Sequence, residues 1–169
     1  MLKLSEYMTI EALLYELVST VSCGGNLLMN IGPTKDGVIA PIFQQRLQEL
    51  GTWLSINGDS IYSTRPWTSQ NDTLTNGVWY TRKNSDVYAI NLQWPKDNTL
   101  NLESAVELFR NTNTEVYLLG DENGQALKWS LNDSSVTINF PDKAKVLSQW
   151  AYVLKIVPGA SVENKDNII

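Results

Sequence analysis

The sequence predicts two architectures in succession: an α/β remnant, then an all-β antiparallel sandwich. Three observations carry this. Up to about residue 61 the apolar residues recur at three- and four-residue spacing on either side of one short, continuous apolar run. From Pro66 onward the period drops to two. The length, 169 residues, leaves room for one ordinary domain plus a piece of another.

In the first region Ile10, Leu13, Leu14, Leu17, Val18 and Val21 form one apolar helix face, with Thr9 as its N-cap. Gly24-Gly25 breaks the helix. The run Asn26-Leu27-Leu28-Met29-Asn30-Ile31 suits a strand buried on both faces, as in a parallel sheet. Gly32-Pro33-Thr34-Lys35-Asp36-Gly37 is loop punctuation. A second helix takes Pro41 at its first position and Ile42, Phe43, Leu47, Leu50, Trp53 and Leu54 as its stripe, and Asn57-Gly58 caps its end. Helix, strand, loop, helix is one step of a parallel α/β fold. A single parallel strand needs partners, so the chain is expected to start inside a larger domain.

Ser63-Thr64-Arg65-Pro66 marks the boundary. Strands are expected over 78–81, 86–94, 114–119, 126–130, 135–140 and 150–157. Turn chemistry separates them, as in Lys83-Asn84-Ser85-Asp86, Pro95-Lys96-Asp97-Asn98 and Gly120-Asp121-Glu122-Asn123-Gly124. Several short strands at this spacing point to a sandwich or barrel. Trp79, Trp94, Trp129, Trp150 and Tyr88 are expected to supply much of its core. The division is therefore 1–62 for the α/β region, 65–157 for the sandwich and 158–169 for a frayed tail.

Composition removes whole classes of function. Hydrophobic residues make up 43% and charged residues 18%, a globular profile, and the net charge of -5 argues against a nucleic-acid or anionic membrane surface. There is no histidine, so His-based triads, metal sites and pH switches are excluded within this chain. The one cysteine, Cys23, excludes an internal disulfide and Cys-rich metal sites. No metal or cofactor is expected. No apolar run approaches a membrane span, and the first 17 residues lack the layout of a signal peptide.

Gly24-Gly25-Asn26-Leu27-Leu28-Met29-Asn30-Ile31-Gly32-Pro33, followed by Asp36-Gly37, resembles the signature near the end of the catalytic barrel in family 29 glycoside hydrolases, the α-L-fucosidases. The likeness continues through Arg46-Leu47, Trp53-Leu54, Asn57-Gly58 and Ile61-Tyr62. Trp67 to Thr73, Val78-Trp79-Tyr80-Thr81 and Val87-Tyr88-Ala89-Ile90 look like the opening strands of the C-terminal β-sandwich of the animal enzymes. The resemblance implies that the α/β remnant is the end of a (β/α)8-like barrel. It implies a retaining exo-glycosidase that releases α-linked L-fucose from glycoproteins or glycolipids, using an aspartate nucleophile and usually a glutamate acid/base. Both lie on earlier barrel strands in that family, so this chain lacks the catalytic pair and is expected to be inactive alone. The implied partners are fucosylated glycans and the preceding barrel segment, with a homo-oligomer of the parent enzyme also open. The implied placement is lysosomal or secreted. The rival reading is a stand-alone β-sandwich module that binds carbohydrate or another protein, with a helical extension.

Few residues here qualify for chemistry. Asn30, at the carboxyl end of the expected strand, would face an active site in a barrel; alternatively it satisfies backbone groups of the next loop. Asn26 starts that strand on the face associated with stability. Asp36 reads as turn chemistry, Cys23 as a buried structural thiol, and Trp67 as an interface aromatic. The other strand tryptophans read as core and not as sugar-stacking platforms. Asn71-Asp72-Thr73 and Asn132-Asp133-Ser134 are N-glycosylation sequons. Asn71 falls in a polar loop at the sandwich entrance and coincides with a sequon in the resembling animal enzymes, while Asn132 lies between two expected strands.

Overall fold

Thr9 opens the first helix as its sequence position predicts. Its hydroxyl accepts a hydrogen bond from the Ala12 N–H at 3.3 Å, satisfying one of the otherwise unpaired donors of the first turn. The helix, α1, runs Ile10–Ser22 and buries Ile10, Leu13, Leu14 and Val18. It ends in a Schellman motif: Gly24 is left-handed (φ 84°), its N–H reaches Val21 O, and Gly25 N–H reaches Thr20 O. The computed structural model describes residues 7–159; most of the expected tail, 160–169, lies outside them.

The second helix, α2, is Pro41–Asn57, with the proline at its start. Trp53 is its one fully buried hydrophobic residue; the rest of the stripe is half-buried, and Leu47 is exposed. Gly58 corrects the expected cap. Its backbone stays right-handed (φ -57°), and the chain tightens into a 3-10 turn, Gly58–Ser60. A Cβ there would stand 3.0 Å from the Tyr62 ring, a tight contact that the exposed Tyr62 side chain would have to relieve by shifting.

Between the helices the expectation fails more plainly. Residues 26–31 form no strand, and Leu28 is 92% exposed. The apolar run is real, but no strand among the described residues pairs with it, and a strand exists only through its hydrogen-bond partners. Cys23 is exposed rather than buried, because it occupies the cap between the helix and the glycine pair.

Among the described residues eight strands follow: β1 Arg65–Asn71, β2 Val78–Lys83, β3 Asp86–Asn91, β4 Thr99–Leu102, β5 Glu115–Leu118, β6 Trp129–Leu131, β7 Val136–Asn139 and β8 Tyr152–Val157. They form two antiparallel sheets, β1-β2-β3-β8-β5 and β4-β7-β6. β4 carries no expectation from the period, since only four residues separate a turn from a loop.

The larger sheet is covered on both faces. Val87 and Ala89 of β3 with Leu154 and Ile156 of β8 meet the smaller sheet through Leu100, Leu102, Val136 and Ile138. The alternate residues Tyr88, Ile90 and Val153 meet Ile10, Leu14, Val18 and Trp53 of the helices. Helices, large sheet and small sheet are thus three layers around two cores. The alternation read in residues 86–94 sorts side chains between these cores and not between core and water.

The aromatic expectation holds in part. Tyr88 is fully buried, and Trp79, Trp94, Trp129 and Trp150 pack against the two cores but are only half-buried; the other large fully buried rings are Trp53, Tyr80 and Phe109. An indole needs an acceptor for its N–H wherever it sits, and Trp53 finds one inside the core. Trp94 donates to Asn98 Oδ1 at 2.7 Å and Trp129 to Thr114 O at 3.0 Å. Trp150 sits at φ 63° in a tight turn closed by Ala151 N–H on Gln149 O. That left-handed conformation is costly for a bulky residue. α2 holds the turn: Trp53 Nε1 donates to Ala151 O at 2.9 Å, and Asn57 Nδ2 to Ser148 Oγ at 2.8 Å.

Candidate functional site

The apolar residues that find no sheet line a groove instead. Leu27, Leu28, Met29 and Ile31 form one wall, and Leu13 of α1 with Ile42 and Phe43 of α2 the other, around an open volume of about 500 Å³. Tyr7 also lines it, edge-on to Phe43 with ring centroids 5.4 Å apart. Three polar side chains reach it: Glu16, Arg46 and Asn30. Arg46 is already engaged, donating through Nε to Met8 O at 3.0 Å and pairing with Glu49 at 2.7 Å. Asn30 is exposed on the 26–31 segment. The groove is a surface for packing and offers no arrangement for acid/base work.

Asp36 lies in the exposed turn that follows. Thr34 builds that turn, with its N–H on Val38 O, its hydroxyl accepting from Val38 N–H, and Gly37 N–H on Thr34 O. Among the described residues Asp36 makes no hydrogen bond or ion pair with another side chain. Among the described residues no cluster of three His, Cys, Asp or Glu side chains could hold a metal, and no helix is long and apolar enough to cross a membrane.

The most engaged carboxylate is one that sequence patterning passes over. Asp72 is 2% exposed and accepts from five donors: the N–H groups of Leu74, Thr75, Glu103 and Ser104, and the Tyr80 hydroxyl at 2.7 Å. Burial pushes the Tyr80 phenol far up, and the Asp72 charge and hydrogen bond push it the same way. A carboxylate whose oxygens are all occupied cannot attack a substrate, so Asp72 is a structural centre that joins two loops. Its signal lay in the sequence: Asp followed two and three residues on by free N–H groups is an Asx turn.

The two sequons differ in their surroundings. Asn71 ends β1 on the surface, its Nδ2 donating to Asp72 O at 3.3 Å, and Thr73 Oγ1 is held by Glu103 Oε2 at 2.7 Å. Asn132 opens the exposed β6–β7 turn, its Oδ1 accepting from Ser134 N–H, Ser135 N–H and the Ser135 hydroxyl. Trp67 lies half-buried in β1, tilted over Tyr80 at 5.0 Å, so it serves the sandwich core's edge.

Residues 70–157 match the family model described as the alpha-L-fucosidase C-terminal domain, and residues 2–59 match the one described as alpha-L-fucosidase. The chain belongs to the α-L-fucosidase family. The α-L-fucosidase of Branchiostoma floridae is 46% identical over 156 residues, covering 90% of this chain and 34% of that protein. The plasma α-L-fucosidase of Homo sapiens is 46% identical over 158 residues, 90% of this chain and 33% of the relative. Among solved α-L-fucosidases, that of Thermotoga maritima in complex with fucose aligns with a TM-score of 0.77 at 30% identity, covering 90% of this chain and 35% of that one. The chain therefore spans about a third of the length of the fucosidases it matches. The fold class is the family's barrel remnant followed by its β-sandwich.

Proposed function

We propose that this chain is the C-terminal portion of an α-L-fucosidase: residues 1–62 the end of the catalytic barrel, 65–157 the sandwich, 158–169 a tail. The observation that carries this is the groove. Leu27, Leu28, Met29 and Ile31 have the composition of a doubly covered barrel strand yet stand open beside α1 and α2. The preceding barrel segment is the partner that fills this face. With it, the assembled enzyme hydrolyses α-L-fucosyl linkages of glycoproteins and glycolipids with retention, and Asn30 borders the sugar pocket. The placement is lysosomal or secreted, which agrees with relatives named plasma and tissue α-L-fucosidase.

The chain's own role is architectural. Retaining hydrolysis needs two carboxyl groups about 5 Å apart, one of them a raised-pKa acid. Asp36 stands alone in a turn, and Asp72 is fully occupied by donors. The purified 169-residue chain, free of host glycosidase, is therefore expected to release no chromogenic leaving group from an aryl α-L-fucoside above the buffer rate. Activity that appears only on adding the upstream barrel segment supports the reading. Turnover by the chain alone that vanishes in Asp36→Asn overturns it.

A further inference from the structure

The two sequons meet the fold in opposite ways, and the difference concerns the atoms that N-glycosylation uses. The reaction joins the amide Nδ2 to the anomeric carbon of an oligosaccharide carried on a lipid pyrophosphate. The C1–O bond breaks, the pyrophosphate leaves with the electron pair, and Nδ2 loses a proton. The hydroxyl two residues on is part of the recognised sequence. In a folded chain a sequon is usable when its segment is exposed, can be drawn out into the transferase and leaves room for the glycan.

At Asn132 these conditions hold. Asn132, Asp133 and Ser134 are all exposed. The three bonds that shape the turn fall on Oδ1 and leave Nδ2 without a partner among the described residues, and the Ser134 hydroxyl is likewise unengaged there. The site also adjoins a sheet edge. β6 is an outer strand of the three-stranded sheet, with Ser130 and Leu131 exposed at the end that runs into Asn132. An exposed edge carrying an apolar residue invites pairing with another chain, and folded proteins cover such edges.

At Asn71 folding works against the modification. One Nδ2 hydrogen points to Asp72 O at 3.3 Å and the Thr73 hydroxyl to Glu103, but the firm hold is on the middle residue, since Asp72 is 2% exposed and drawn inward by five donors. Once the Asp72 centre forms, its five bonds pin the middle of the sequon, and the segment cannot be drawn out into the transferase.

We propose that Asn132 is an N-glycan acceptor compatible with the finished fold, that its glycan covers the β6 edge, and that Asn71 is modified only in chains that meet the transferase before the Asp72 centre closes. The proposal rests on the lysosomal or secreted placement above, which takes the chain past that donor. The test directs the full chain into the secretory pathway of a eukaryotic cell with an N-terminal leader. Occupancy at each asparagine is read by peptide mass after amidase release. The expected result is a glycan at Asn132 that is lost in both Asn132→Gln and Ser134→Ala, the latter leaving the turn-forming Asn132 in place. Tyr80→Phe, which loosens the Asp72 centre without touching a sequon, is expected to raise occupancy at Asn71 and leave Asn132 unchanged. Ser134→Ala should also self-associate more than the glycosylated chain, and Leu131→Lys should relieve it. A secreted, folded chain unmodified at Asn132 overturns the proposal, as does an Asn71 occupancy indifferent to Tyr80→Phe. Failure of the placement alone shows differently: the natural protein would carry no glycan at either asparagine, while the leader-directed chain still carries one at Asn132.

Discussion

Asp72→Ala removes the acceptor for five donors at once, and the structure indicates how much each is worth. The N–H groups of Leu74 and Glu103 belong to exposed residues and can turn to water, so their loss costs little. The Tyr80 hydroxyl cannot: its residue is 0% exposed, and an orphaned buried hydroxyl costs about 1–3 kcal/mol. The partly shielded bonds to Thr75 and Ser104 are charge-assisted, and losing them adds about 1–2 kcal/mol together after rehydration. The expected total is about 2–5 kcal/mol, or a fall in melting temperature of about 4–20 °C at 2–4 °C per kcal/mol for a chain of this size. Asp72→Asn keeps the shape but can turn an amide NH2 toward the Glu103 and Ser104 donors, costing about 2–3 kcal/mol. Tyr80→Phe gives up one charge-assisted bond, about 1–2 kcal/mol. Urea unfolding followed by near-UV circular dichroism of the tryptophans measures all three, and the Asp72→Asn/Tyr80→Phe double mutant measures their coupling. Because both changes break the same bond, the double mutant should be less destabilised than the sum by about 1–2 kcal/mol. Strict additivity, or an Asp72→Asn protein within about 0.5 kcal/mol of the parent, would refute the role given to this centre.

Three further outcomes are expected. Trp53→Phe removes the indole N–H from Ala151 O and with it the tie on the strained turn at Trp150, costing about 1–2 kcal/mol, while Trp53→Ala costs about 3–5 kcal/mol; equal urea midpoints for the parent and the Phe variant would count against the tie. Amides 26–31 should exchange with solvent within the dead time of a manual hydrogen-exchange experiment, and the chain should scatter light increasingly with concentration through this open apolar segment; slow exchange there in a monomeric chain would contradict the unpaired segment. Stability should fall with rising pH in the alkaline range. Burial raises the Tyr80 pKa, and the Asp86 hydrogen bond raises that of Lys155, which lies 3.0 Å from Asp86. Both stabilising effects are intact below the unfolded values of about 10 and are lost as pH climbs through the folded ones, because the native state then holds protons that the unfolded chain has released. The urea midpoint should drop between pH 9 and 11, and less steeply in Tyr80→Phe; a flat midpoint would refute the sign.

What could be read from the sequence depended on how local the cause was. Thr9, Pro41 and the glycine pair act within one helical turn, and the caps and ends they predict are found. Most of the later strands follow from period two. The failures need distant information. The 26–31 run reads as a buried strand because its composition records neighbours that the described residues do not supply. Four of the tryptophans read as fully core because hydropathy and period do not say how completely a large side chain is covered; that depends on what packs over it. Gly58 reads as a left-handed cap because the nearness of Tyr62 is invisible in one dimension. Asp72 was hidden inside a motif read for Asn71. Asn30 was legible only through the family signature, and the groove beside it only through the fold.

The double cover of the large sheet has a bearing on how this family can be taken apart. A boundary in the chain near residue 63 suggests two pieces that could be cut and used separately. The central strands deny this, since one side of β3 and β8 packs on the small sheet and the other on α1 and α2. Excising 63–158 would bare Tyr88, Ile90 and Val153 to water, leaving an oily plate where a surface should be. Heat should consequently melt helices and sandwich in one cooperative step, and the sandwich is better regarded as a foundation sharing a wall with the barrel than as an appended module.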